Sequence, residues 1–118
     1  MATHNQLGKD AEEMAVNYLL QNEYEILFRN WRYSYYEIDI IAKKKNILHI
    51  IEVKCLNDST FGNPEDSVTK KKFRYLLNAA DEFLFQHPEY KWVQYDILSI
   101  TLFKHKEAEY FLIEDVYL

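Results

Sequence analysis

A mixed α/β fold, one central sheet with helices packed on its faces, is what this chain of 118 residues predicts. Three observations carry that expectation. Two stretches repeat apolar residues at three- and four-residue spacing, the period of an amphipathic helix. Two runs rich in isoleucine, leucine and valine, Tyr-Glu-Ile-Asp-Ile-Ile-Ala and Ile-Leu-His-Ile-Ile-Glu-Val-Lys, are short and apolar in the manner of strands covered on both faces. Helical and extended patterns also alternate along the chain, which is the layout of a layered sheet rather than of a bundle or sandwich.

In order, Leu7, Ala11, Met14, Ala15, Tyr18 and Leu19 predict a helix over 5–22, with Glu12 beside the apolar stripe. Residues 24–29 read as a first strand and 35–42 as a second. A polar turn at 43–46 leads into a third strand, 47–54, and the short connection makes the last two an antiparallel hairpin. Residues 55–66 read as a loop. Asn63 and Pro64 look like the cap and first position of a second helix. Its stripe is Tyr75, Leu76, Ala79, Ala80, Phe83 and Leu84, and it ends near Gln86, ahead of Pro88. Residues 91–103 and 109–116 read as two closing strands. The expected order is α-β-β-β-α-β-β in one domain spanning 1–118, with few tight turns because only two glycines and two prolines are present.

Composition sets the class. Hydrophobic residues make up 48% and aromatic residues 16%, enough for a packed core and too much for a disordered chain. No apolar run nears the ~20 residues of a membrane helix, and residues 1–8 lack the apolar centre of a signal peptide. Cys55 is the only cysteine, which excludes an internal disulfide and suits a reducing cytoplasm. The formal charge of −5 speaks against coating nucleic acid by bulk electrostatics. It leaves room for an enzyme whose acids hold a cation, because the ion reverses the local field.

The informative residues are charges inside apolar strands: Glu37-Ile38-Asp39 and Glu52-Val53-Lys54. Side chains alternate along a strand, so Glu37 and Asp39 are expected on one face and Glu52 and Lys54 on one face of the next. Hairpin pairing then brings Asp39 and Glu52 within reach of a single cation. Oxygen donors of this kind suit Mg²⁺ or Mn²⁺, and the four histidines show no zinc-ligand spacing. Such an ion acidifies a bound water and polarises a phosphate, the two requirements of phosphodiester hydrolysis. Lys54 is placed to stabilise developing negative charge, while Glu12 and Glu37 are candidate additional ligands. A lone Glu-x-Lys is ordinarily a solvated face or a cross-strand ion pair. The apolar setting and the offset of Asp39 favour a site, whereas Glu37 reads equally well as a structural ion-pair partner.

Basic residues cluster as nucleic-acid contacts would: Arg29 and Arg32, then Lys70, Lys71, Lys72 and Arg74. The second group opens a helix, where cations oppose the macrodipole and phosphate contact would explain them. Lys43–Lys45 reads as a soluble hairpin tip. Most of the ten tyrosines read as core or surface strand residues, with base stacking as the alternative. Cys55 reads as a buried packing thiol, since no histidine is placed to activate it.

These fragments, in this order, resemble the small bacterial YraN-type proteins, an endonuclease-like group, and more distantly the Holliday-junction resolvases, both within the PD-(D/E)XK nuclease superfamily. The likeness runs through Gly8, Ala11-Glu12, Ala15 and Tyr18-Leu19, then Arg29-Asn30-Trp31-Arg32. It continues through Glu37-Ile38-Asp39-Ile40-Ile41-Ala42, Glu52-Val53-Lys54, Phe61-Gly62, Val68 and Lys72. It implies a restriction-endonuclease-like core with Asp39 and Glu52 as metal ligands, Lys54 as catalytic lysine and Glu12 as an extra helix acid. Two positions depart from the pattern. Tyr36 stands where glycine is usual, and Leu56 stands where an arginine would offer a phosphate contact.

The expected function is Mg²⁺- or Mn²⁺-dependent hydrolysis of DNA, ahead of RNA, on branched or flapped substrates. A homodimer is the expected form for gripping both strands of a duplex, and no membrane partner is expected. The alternative is a nucleic-acid-binding or adaptor module that keeps the fold and cuts little alone.

Overall fold

A computed structural model describes residues 4–57 and 69–116, with side chains from residue 10 onward. Helix α1 spans His4–Gln21. Strands β1 (Glu25–Tyr33), β2 (Tyr36–Lys44) and β3 (Ile47–Asn57) follow. Helix α2 (Lys70–Gln86) precedes β4 (Val93–Leu102) and β5 (Glu109–Ile113). The five strands form one sheet in the order β1-β2-β3-β4-β5. Only β3 and β4 run parallel, and the other neighbours are antiparallel. A parallel pair needs a long crossover, and α2 lies on the connection that supplies it. The α/β class and the element order match the expectation. Among the described residues no helix is long and apolar enough to cross a membrane.

Each helix covers one face. Phe73, Leu76, Ala79, Ala80 and Phe83 of α2 bury Ile38, Ile41, Leu48, Ile50 and Ile97. On the opposite face Ala15, Val16 and Leu19 of α1, with Tyr24, bury Ile40, Ala42, Ile51, Leu98 and Ile100. Burial on both sides is why the central strands read as near-continuous apolar runs. Fully burying an Ile or Leu contributes roughly 1.5–3 kcal/mol relative to exposure, so these two layers dominate the stability of the fold.

The boundaries depart from expectation where turns are built without glycine. Strand β2 runs on to Lys44, so the β2–β3 loop is only Lys45-Asn46, with φ of 51° and 67°. Positive φ at both central positions is the geometry of a type I′ hairpin, whose twist matches that of its strands. Strand β1 reaches Tyr33 and pairs it with Tyr36, leaving Ser34-Tyr35 as a second two-residue loop, with Ser34 at φ 57°. Helix α1 ends where Glu23 takes φ 70° while the N–H of Tyr24 donates to Leu19 O at 3.0 Å and that of Glu23 to Leu20 O at 3.3 Å. This is a Schellman closure. Few glycines therefore do not mean few tight turns here.

Helix α2 begins at Lys70 behind Thr69, whose Oγ1 accepts the N–H of Lys72 at 3.1 Å. Such a cap is worth about 1 kcal/mol. The expected cap at Asn63 and Pro64 lies outside the described residues, and residues 55–57 continue β3 instead of opening the loop. Cys55 is exposed, not a packing thiol. Along β3, Leu48–Ile51 are buried, Glu52, Val53 and Lys54 are half-buried and Cys55 is out in solvent. Cover from the helices fades along the strand.

Candidate functional site

The β2–β3 ladder runs from Lys44↔Ile47 to Ile40↔Ile51 and stops there, while β3 stays paired with β4 as far as Asn57. Beyond Ile51 the two strands part. Asp39 and Glu52 are the first residues past the last rung, one on each strand. Alternation also breaks at this point: Ile38 and Ile41 join the α2-side core, whereas Ile40 and Ala42 join the α1 side. On β1, Asn30 holds φ 51° between the rungs Arg29↔Ile40 and Trp31↔Ile38, which sets it across from Asp39. A sheet that bends and divides leaves backbone groups without ladder partners. One of them, the N–H of Val53, donates to Asp39 Oδ2 at 2.8 Å.

The carboxyl of Asp39 is pushed up from an ordinary 3.8 to about 7. Burial is the largest cause and the charge of Glu52 adds to it; the Val53 N–H acts in the opposite direction, and Glu37 and Glu12 contribute further repulsion. Lys54 Nζ lies 3.5 Å from Glu52 Oε1, both side chains being mostly buried. Asp39 thus lies within electrostatic reach of Glu52, and Lys54 reaches the cluster through Glu52.

The two further acids are held differently. Glu12 Oε1 accepts from Arg29 Nε at 3.1 Å and from Asn30 Nδ2 at 2.6 Å. A second Arg29 nitrogen reaches Glu13 at 3.0 Å. Glu37 pairs with Arg32 at 3.3 Å on the surface. Glu12 and Glu37 are each matched by an arginine, and Arg29 and Arg32 are engaged with acids of the same chain. Among the ion pairs of the described residues, the central carboxylates Asp39 and Glu52 are met by Lys54 alone, through Glu52.

That charge pattern fits a hard cation. Among the described residues no group of three or more His, Cys, Asp or Glu side chains forms a full ligand set. A Mg²⁺ ion, however, commonly takes only one or two carboxylates from the protein and keeps water or substrate oxygens elsewhere. Asp39 and Glu52 supply that number.

On the α2 side Glu52 and Glu37 border a cleft whose other walls include Tyr35, Tyr36, Lys72 and Tyr75. Lys70, Lys71 and Arg74 are exposed on the same first turns of α2. The sequence placed Tyr75 in the apolar stripe of α2, where it is instead partly exposed, and marked Tyr36 only as a departure from the family pattern; Tyr35 carried no signal of its own. The sequence reading passed over His49 and Asp96, whose Nδ1 and Oδ2 lie 2.6 Å apart in the core. Polar residues inside the runs 47–51 and 95–100 were the available signal. No spacing rule links positions so far apart.

The fold and the cluster define a mixed α/β protein with two acids and a lysine at the parting of two central strands. The description "Uncharacterised protein family UPF0102" belongs to the family profile that matches residues 11–100. The chain belongs to this family. It is 40% identical to a UPF0102 protein of Flavobacterium johnsoniae, with 97% of this chain and 93% of the relative covered. A UPF0102 protein of Christiangramia forsetii is 45% identical over 85% of this chain and 84% of its own. One from Petrotoga mobilis is 40% identical over 82% and 88%.

Proposed function

We propose that this protein is a nuclease-like domain of the PD-(D/E)XK kind, hydrolysing phosphodiesters of DNA with Mg²⁺ or Mn²⁺. One observation carries the reading: a buried carboxylate, Asp39, is pushed toward neutrality beside Glu52, whose ion-pair partner among the described residues is Lys54. Leaving such a pair without a cation is costly, and a divalent ion relieves it.

Asp39 and Glu52 would hold the ion. When bound, it would acidify a water and polarise the scissile phosphate. Lys54, tethered to Glu52, presents its ammonium to the charge that builds on the phosphate oxygens. The hydrogen bond from Val53 fixes the Asp39 carboxylate, so it need not reorganise during the reaction. Glu12 orients Arg29 and Asn30 along β1 and repels charge at Asp39 from a distance. Lys70, Lys71, Lys72 and Arg74 offer phosphate contacts along α2.

The test is a panel of duplex, single-stranded and branched DNA, with RNA, incubated with Mn²⁺. Wild type should cut, and Lys54→Ala should cut about a hundredfold more slowly. Cutting that persists in Asp39→Asn would remove the assignment.

A second reading, a binding or adaptor module with little activity, is favoured by the engagement of Glu12 with Arg29 and Asn30, which leaves two acids for a metal. It expects binding without turnover, unaffected by Lys54→Ala.

A further inference from the structure

Three tyrosines surround the cleft that Glu52 borders. Tyr35 sits in the loop joining β1 to β2 and is 97% exposed, at the mouth of the cleft. Tyr36 reaches from β2 toward α2, where its ring centre lies 5.3 Å from that of Tyr75, with the planes 46° apart. Other tyrosine rings are used in packing: Tyr18 stacks on Tyr110 at 4.8 Å, and Tyr24 meets His49 edge-on. Tyr35 and Tyr75 keep large parts of their rings in solvent. The cleft measures about 190 Å³, below the ~300 Å³ at which pockets for drug-sized ligands begin. It suits a single planar ring system.

We infer that this cleft stacks one unpaired nucleobase, which directs the protein to single-stranded segments of its substrate. The inference deepens the proposed function and rests on it for the metal side alone. Every base presents a π-face, so tyrosines bind bases with little regard to sequence. The charges around the rings fit the rest of a nucleotide. Lys72 on one wall and Lys70, Lys71 and Arg74 nearby meet a backbone phosphate, at a helix start whose dipole also favours anions. Glu52 on another wall places the metal-binding pair next to the nucleotide whose base is held. A base within a duplex is covered by its neighbours and must leave the stack to enter. Unpaired strands enter without that cost.

The experiment is a cycle between ring and base, read as fluorescence anisotropy in Ca²⁺. A labelled single-stranded oligonucleotide is compared with one of equal length carrying abasic sites, on wild type, Tyr35→Ala and Tyr35→Phe. Tyr35 is almost wholly exposed, so truncating it spares the core. Base removal should weaken wild type and Tyr35→Phe roughly tenfold and Tyr35→Ala far less, because the stacking partner is already gone. Tyr75→Ala should repeat that loss of coupling. DNA and RNA versions tell which sugar is preferred, and coupling with either supports the site. Equal weakening in all variants overturns the inference, as does failure of both strands to bind. Coupling without Mn²⁺-dependent cutting keeps the base site and discards the nuclease. Cutting without coupling does the reverse.

Discussion

Asp96 and Asp39 flank the same strand, β3, and their surroundings could hardly differ more. Asp96, 1% exposed on β4, is fully furnished. Its Oδ2 meets His49 Nδ1 at 2.6 Å, and its Oδ1 accepts from Gln94 Nε2 at 2.9 Å and from the Asp115 N–H at 3.0 Å. Those bonds tie β3, β4 and the segment after β5 together. Among the described residues Asp39 accepts one backbone N–H and is otherwise pressed by Glu52, Glu37 and Glu12. One buried acid is a structural hub whose partners come from the chain. The other is held by one backbone N–H among the described residues and stands among acids, the setting on which the proposed cation site rests. Burial of a charge by itself therefore says little about function; the roll of partners decides.

The largest effect should come from breaking the complete site. Asp96→Ala leaves His49, Gln94 and the Asp115 N–H without their acceptor, and removing one partner of a buried pair typically costs about 3–5 kcal/mol. Urea unfolding measures it, and a loss under about 1 kcal/mol would erase the contrast with Asp39.

Asp39→Asn should move stability the other way in alkaline solution. The folded chain keeps the Asp39 proton up to about pH 7, whereas the unfolded chain releases it near 3.8. Between those values the native state binds the extra proton, so stability falls as pH rises through the window. The asparagine variant lacks that slope. It should be more stable than wild type at pH 8 by about 4 kcal/mol, with the difference shrinking toward pH 5. Denaturation at both pH values decides it.

A cation should sharpen the same comparison. Mn²⁺ at ten times its dissociation constant should stabilise wild type by about 1.4 kcal/mol and flatten its pH dependence, since binding displaces the proton. Thermal unfolding should show neither effect in Asp39→Asn or Glu52→Gln. An equal shift in those variants would place the ion elsewhere.

The smallest effect belongs to the surface. Arg32→Ala removes an exposed pair with Glu37 and should cost less than about 1 kcal/mol in the same denaturation assay. A larger loss would mean that Glu37 acts on the central acids more strongly than its exposed position suggests.

Much of this was legible in the residues. The α-β-β-β-α-β-β order follows from periodicity, because helices and strands here each bury a clear face. That Asp39 falls beside Glu52, one step past Ile40↔Ile51, follows from hairpin arithmetic. What strict alternation could not supply is the break between Ile38 and Ile40, which arises from the divergence of β2 and β3 and the left-handed Asn30. Nor could it give the partners of Glu12, since Arg29 and Asn30 reach it across the helix–strand interface. His49 and Asp96 find each other through a parallel pairing that local sequence does not encode.

The Lys45-Asn46 loop has a consequence for all of this. With only two residues between the strands, its length works as a ruler: Ile40 meets Ile51, and the acids fall beside each other one step later. Inserting a single residue there would ask β3 to choose between its partners. If it kept its parallel pairing with β4, Glu52 would slide away from Asp39; if it followed β2, every side chain of β3 would turn over. The spacing of the two acids is thus inherited from a bend well away from them, and shortening or lengthening that bend is a way to dismantle the cluster without altering any residue in it.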